Sequence, residues 1–296
     1  MFRNKYDNDV TIWSPQGRLY QVEYAMEAVK QGMVTVGIKS QDYAVLVALC
    51  RAEGHTNDIQ RKIMPIDSHL GMSIAGLTAD AKQVCQYLRT ECMSYRHTYE
   101  AAYPVSRLVT NLGNKMQPTT QRYDRRPYGV GMLIAGYDLK PHIYQVMPSA
   151  NVMNCKAMAI GARSQSSRTY LERHLDSFLY SSKDEIICHG IQALRSSLGN
   201  DCGENIKITI ALVGKEQTFM TLSDEECIKY LNMAQTLAKP DVSANESDDN
   251  LDDADNVNDD YNDDDNVHLE DSDDEEYLRR REQFSEGTDS DPGRVL

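Results

Sequence analysis

Residues 14–32 read SPQGRLYQVEYAMEAVKQG, and the spacing inside this stretch decides how the rest of the chain is read. From Gly17 onward Leu19, Val22, Met26 and Val29 recur at steps of three, four and three, the spacing of one helical face. That predicts an amphipathic helix over 17–31. Ser14, Pro15 and Gly17 are turn formers ahead of it, and Gly32 is placed to close it in a left-handed cap. Tyr20 and Tyr24 lie four apart on a second face among Glu23, Glu27 and Lys30, so two faces have something to contact. On pattern alone this is a core helix with a solvated back.

Working outward, Val34, Val36 and Ile38 alternate with Thr35, Gly37 and Lys39, which predicts a strand with one buried face. The next run, 43–50, is apolar throughout and predicts a strand covered on both faces. A polar loop over 51–61 leads to short strands at 63–66 and 71–76. Helical spacing returns at Ala81, Val84, Cys85, Leu88, Cys92 and Tyr95, and after Pro104 at Val105, Leu108, Val109, Leu112 and Met116. Strand character resumes at 130–137, 143–147 and 157–161, and a third helix carries Tyr170, Leu171, His174, Leu175 and Phe178. Ser182 and Glu185 form a capping box for a fourth helix that stops at Gly199. A strand over 206–212, a hairpin partner at 218–222 and a second capping box, Ser223 with Glu226, precede the last helix. Runs of strands followed by runs of helices specify an α+β domain.

Charge is divided unevenly. Of 31 basic and 45 acidic residues, 22 of the acidic and 4 of the basic lie in 241–296, leaving that segment at −18 and the rest at +4. A run such as Asp263, Asp264 and Asp265 repels itself and buries almost nothing, so 238–296 is expected to be a disordered acidic tail. Seven cysteines without paired short spacing suggest free thiols in a reducing compartment. The N-terminus lacks an apolar signal segment and the longest apolar run has eight residues, so neither secretion nor a membrane partner is expected. Cytoplasm and nucleus are the expected locations.

With Tyr6 and Asp7 upstream, the series Ser14, Pro15, Gly17, Arg18, Leu19, Gln21, Val22, Glu23, Tyr24, Ala25, Glu27, Ala28, Val29 and Gly32 resembles the N-terminal signature of proteasome alpha subunits. AGLTADAK, with Gly76, Leu77, Ala79 and Asp80, matches that family's first long helix. RYDRRPYGVGMLIAGYD and CKAMAIGARSQSSRTYLERHL resemble its alpha type-1 class in particular. The likeness covers about residues 1–237. It implies the four-layer αββα sandwich of N-terminal nucleophile hydrolases with an extra N-terminal helix. The implied division is a gate segment at 1–13, an alpha-type domain at 14–237 and the tail. Implied partners are other alpha subunits in a heteroheptameric ring, a beta ring, and a regulatory particle or other activators.

The resemblance also assigns roles to residues. Tyr6, Asp7 and Asn8 would belong to the gate, although Asn8 stands where many alpha subunits carry Arg. Arg18, Leu19, Tyr20, Tyr24 and Met26 would lie in the ring interface, as would Tyr123, Arg125 and Arg126. Lys62 would sit in a pocket between neighbours and pair with the C-terminal carboxylate of an activator. Read without the family, Lys62 is a solvated lysine at a strand start beside Arg61. The cluster of Arg122, Arg125 and Arg126 with Tyr123 and Tyr128 is then a surface segment, an RNA contact or an interface. A domain of net +4 offers no basic stripe for nucleic acid, and none is expected as a partner.

Catalysis is not expected. Catalytic relatives begin the first strand with a processed Thr after a Gly, whereas this junction reads Gly32, Met33, Val34; the family's Asp at the end of the second strand falls on Leu49. Thr35 is an ordinary β-branched residue of an alternating strand. His97, His142, His174 and His189 lack metal spacing, so no metal or cofactor is expected. The competing functions are a self-processing N-terminal nucleophile amidohydrolase and, from the tail, an acidic chaperone of basic proteins. Ser247, Ser272 and Ser290 lie among acidic residues and suit acid-directed kinases.

Overall fold

Two antiparallel sheets form the centre of the computed structural model, which describes residues 5–50, 61–198 and 207–237. Helix α1 (Tyr20–Gln31) precedes β1 (Thr35–Lys39), β2 (Tyr43–Cys50), β3 (Ile63–Asp67) and β4 (Leu70–Gly76). Helices α2 (Thr78–Tyr99) and α3 (Val105–Met116) follow, then β5 (Val130–Tyr137), β6 (Pro141–Val146), β7 (Val152–Cys155) and β8 (Ala157–Ile160). The last third holds α4 (Ser164–Arg173), α5 (Leu175–Phe178), α6 (Lys183–Leu198), β9 (Lys207–Gly214), β10 (Gln217–Thr221) and α7 (Asp224–Leu237). One sheet has the order β10-β9-β2-β1-β8 and the other β3-β4-β5-β6-β7.

Alternation along these strands separates two cores rather than core from solvent. Val34, Val36 and Ile38 face α4, α5, α6 and α7, with Val45, Val47, Ile210 and Leu212 beside them. On the other side of the same sheet Ala44, Leu46, Ala48 and Ala211 meet Ala75, Leu133, Ala135 and Ile143 of the second sheet. The outer face of that sheet, through Leu70, Met72, Ile74, Met132 and Ile134, is covered by α2 and α3. Four layers result, the αββα sandwich. Each fully buried Leu or Ile contributes roughly 1.5–3 kcal/mol, and all three interfaces are lined with them.

This layering corrects the reading of β1 as a strand with one buried face. Thr35 is fully buried, and its hydroxyl contacts Ser73 Oγ at 2.5 Å and the Val47 carbonyl at 3.2 Å. A polar residue inside the sandwich is tolerated because its hydrogen bonds are made there.

The opening helix begins at Tyr20, three residues later than its spacing predicts. Gly17 lies at φ +76, with its N–H on the Ser14 carbonyl at 2.9 Å, so 14–17 is a turn that requires glycine. Gly32 is not a left-handed cap: its φ is −69 and ψ 151. Glycine is needed there for close approach, since a Cβ would stand 2.3 Å from the Gly76 nitrogen. The predicted third helix is two, broken at His174, where the ring Nδ1–H donates to the Tyr170 carbonyl at 2.8 Å. Both capping boxes form, Ser182 with Glu185 and Ser223 with Glu226. The expected stop at Gly199, residue Ile206, the loop over 51–60 and the tail lie outside the described residues.

Candidate functional site

Where the first sheet begins, the chemistry of a hydrolase would need a nucleophile and a carboxylate. Val34 accepts a hydrogen bond from the Leu49 N–H at 3.1 Å, which sets Leu49 across from the start of β1 and next to Met33. Leu49 is buried, and Met33 packs partly buried on the same cluster. A thioether and an isobutyl group have no proton to give or take at neutral pH. Thr35, one residue further, has its hydroxyl committed inside the sandwich. Among the described residues no group of three or more His, Cys, Asp or Glu could hold a metal ion.

The surface around α1 is constructed differently. Of the apolar stripe only Val29 is buried; Leu19, Val22 and Met26 are half-buried, and Tyr24 is exposed. Asp7 ties the N-terminal segment to this helix: its carboxylate accepts from Tyr24 Oη at 3.0 Å, and its carbonyl accepts from Gln21 Nε2. Tyr6 is half-buried beside it and Asn8 is exposed. Arg18 makes a two-pronged pair with Glu23, both contacts at 2.7 Å, and its guanidinium lies 5.6 Å from the Tyr20 ring centre.

Beneath the end of α1 the segment carrying Arg126 meets the helix. Gly129 packs against Leu77 and approaches Ala28, and Leu77 remains half exposed. Arg126 forks onto Asp80 at 2.7 and 2.9 Å, and Asp80 also accepts the Gly129 N–H at 3.0 Å. The Arg126 hydrogen bonds hold the Asp80 carboxyl below its ordinary value. Arg126 is thus fixed within its own chain while keeping an exposed edge. Tyr123 is 80% exposed, and Arg122 and Arg125 flank Asp124 at 3.1 and 4.0 Å. Asp80 as the partner of Arg126 was not legible from sequence, since 46 positions separate them.

Lys62 is not the solvated lysine that its neighbours suggest. It is 4% exposed, and its carbonyl accepts from the Ile74 N–H at 3.2 Å at the open end of the β3–β4 hairpin. Burial pushes its ammonium down from the ordinary value, with the Cys50 thiol opposing. Cys50 in turn touches Thr209 Oγ1 at 3.0 Å.

Comparison with known proteins decides what this arrangement is. Residues 29–213 match the proteasome subunit family, and residues 6–28 match the N-terminal signature of its A-type subunits. The chain belongs to the proteasome alpha-subunit family. It is 64% identical over 241 residues to the alpha type-1 proteasome subunit of Drosophila melanogaster, spanning 79% of this chain and 86% of that one. The alpha type-1 subunit of Caenorhabditis elegans is 50% identical over 238 residues (80% and 92%), and that of Dictyostelium discoideum 48% over 238 (79% and 96%). The chain is accordingly a non-catalytic alpha-ring subunit of the 20S proteasome core, a component of protein degradation that assembles with other proteasome subunits. Met33 and Leu49 give the physical reason that the hydrolase reading fails.

Proposed function

We propose that this subunit takes one place in a heteroheptameric alpha ring, stands on a beta ring, and uses its N-terminal segment to gate substrate entry in ATP- and ubiquitin-dependent degradation in cytoplasm and nucleus. The observation that carries the proposal is the unfinished face of α1. Leu19, Val22 and Met26 have the spacing of a core helix yet stay half exposed in the lone chain, and apolar surface of that kind is covered by association. Tyr20 and Tyr24, with Arg18 over the Tyr20 ring, stand on the second face of the same helix, and Tyr123, Arg125 and the outer edge of Arg126 form a separate surface. Tyr6, Asp7 and Asn8 form the gate, anchored on α1 through Asp7. Residues 1–13 act as the gate segment, 14–237 as the ring-forming domain and 238–296 as an acidic tail whose Ser247, Ser272 and Ser290 accept phosphate.

Lys62 completes the reading as the docking point for the C-terminal carboxylate of an activator. An enclosed ammonium weakened by burial gains most from a carboxylate that arrives with its partner. The test of the whole proposal is Met26→Asp: a carboxylate forced into an interface without a partner costs several kcal/mol. The variant is expected to be absent from the assembled particle on native size analysis. Incorporation at the wild-type level would remove the role given to α1.

A further inference from the structure

A cleft of about 570 Å³ opens on the helical layer over the first sheet, between α5 with its connection and α6, and it plays no part in the reading above. Its wall is formed by Ser177, Ser181, Glu185, Cys188, His189 and Gln192, with Tyr180 at the rim. Tyr180 is 83% exposed and Leu179 beside it 51%, an aromatic and an aliphatic side chain held out in solvent on a short connection.

A hydrogen-bond account of the wall identifies what it lacks. Ser177 Oγ gives its proton to the His174 carbonyl at 2.7 Å, and Ser181 Oγ gives its own to the Ser177 carbonyl at 2.8 Å. Both hydroxyls are left with lone pairs only. The Tyr170 hydroxyl donates to Gln192 Oε1, so its oxygen takes the Nδ1–H of His189 at 3.0 Å. Burial and the neighbouring His174, opposed by Glu185, hold the His189 ring below its ordinary value; in the neutral ring, with Nδ1–H on Tyr170, Nε2 carries a lone pair. Glu185 uses Oε2 on the Ser182 N–H at 2.8 Å and keeps Oε1; that hydrogen bond also holds its carboxyl below the ordinary value. Cys188 is a neutral thiol, its pKa raised by burial. Two hydroxyls, an imidazole nitrogen and a carboxylate with acceptor capacity to spare therefore belong to residues that line the cleft, and Glu185 supplies a negative charge.

We propose that this cleft is a docking subsite for an arginine side chain presented by a partner protein, its guanidinium at Glu185 and His189 and its stem against Tyr180. Arginine suits the site better than lysine. Its planar fork carries five donors that can serve separated acceptors at once, and it stacks on an exposed aromatic face. The partner is recognised by that chemistry, a cationic planar group on an extended segment.

The test uses the full-length chain with labelled histidine and tyrosine rings, titrated by NMR with N-acetyl-arginine methylamide and with its neutral isostere, N-acetyl-citrulline methylamide. The His189 and Tyr180 ring signals are expected to shift saturably with the arginine compound, and the citrulline compound to bind about fivefold more weakly. Glu185→Gln keeps the helix cap, since Gln serves in a capping box, and is expected to weaken the arginine compound by a similar factor. Tyr180→Ala is expected to weaken both compounds. Equal response to arginine and citrulline, or affinity unchanged in both variants, overturns the assignment. So does an equally tight lysine analogue, or loss of the response once the chain is assembled in its particle, because a neighbouring subunit would then already cover the cleft.

Discussion

Helices α1 and α3 have the same kind of sequence and opposite fates. In α3 the apolar positions Val105, Leu108, Val109, Leu112 and Met116 are all fully buried under the second sheet. In α1 the corresponding stripe buries Val29 and leaves Leu19, Val22 and Met26 half covered. Periodicity therefore reports that a face is apolar, and the rest of the chain determines whether the domain itself covers it. The largest test of that contrast is a pair of variants. Met26→Asp should be lost from the particle entirely yet change the unfolding free energy of the purified chain by about 1 kcal/mol or less. Leu112→Ala should cost the purified chain about 2–5 kcal/mol in urea unfolding. If the two variants destabilise the isolated chain equally, α1 is a core helix and the contrast collapses.

The same distinction explains what the sequence allowed to be read. Capping boxes at Ser182 and Ser223 were legible because every participant lies within three residues, and β2 because an unbroken apolar run needs cover on both sides. Thr35 misled for the opposite reason: its alternation is real, but the layer that receives it comes from β4, through Ser73, 38 residues on. Gly32 follows the last apolar position of the stripe as a cap glycine would, but the atoms that exclude a side chain there belong to Ala75 and Gly76, more than forty positions on. β7 leaves no signal in the sequence, because its four residues, Val152–Cys155, carry a half-exposed pattern with no apolar run. Of the candidate sites, the α1 face was visible as a stripe. The fork of Arg126 onto Asp80 and the enclosure of Lys62 depend on contacts from elsewhere in the fold.

Lys62 occupies an intermediate case, enclosed within its own chain and still assigned a partner from outside. Lys62→Ala should leave the particle assembled and its basal peptide hydrolysis unchanged. It should weaken activators that dock through their C-termini by roughly 2–5 kcal/mol, the cost of truncating one side of an enclosed charge pair. Activator affinity measured on purified wild-type and variant particles decides this, and equal values would return Lys62 to a structural role.

On the covered side, Asp138 provides a pH test. Its carboxylate accepts the Val105 N–H at 3.3 Å, at the start of α3, and receives Leu139 N–H and the His142 ring at 2.6 and 3.0 Å. Burial alone would raise this carboxyl, but the His142 hydrogen bond and charge and the two backbone N–H groups hold it at about 2. A depressed folded value means that the stabilisation is fully present above the unfolded value near 3.9 and is lost as pH falls from there through about 2. Asp138→Asn should thus remove roughly 2 kcal/mol at pH 7 and flatten the acid limb of the stability curve between pH 4 and 2, as read by urea titrations across that range. An unchanged acid limb would mean that α3 does not depend on this cap.

The smallest effect is expected where the sequence is most extreme. Removal of residues 241–296 takes away a charge of −18, yet the last helix is secured before that point. Its capping box closes at Ser223 and Glu226, Cys227 and Ala234 are buried against the first sheet's helical layer, and Tyr230 Oη bonds Asp184 at 2.7 Å. The cut falls beyond Leu237, where α7 ends, so it removes none of these contacts. An acidic, self-repelling sequence offers little apolar surface for burial, and its field is screened over about 8 Å at physiological salt. Truncated chains should enter the particle at the wild-type level, and the particles should hydrolyse short peptides at the wild-type rate. Incorporation compared between full-length and truncated chains expressed together measures this directly, since the two compete for one place. Failure of the truncated chain in that competition would show that the tail, and not only the two faces beside α1, takes part in assembly.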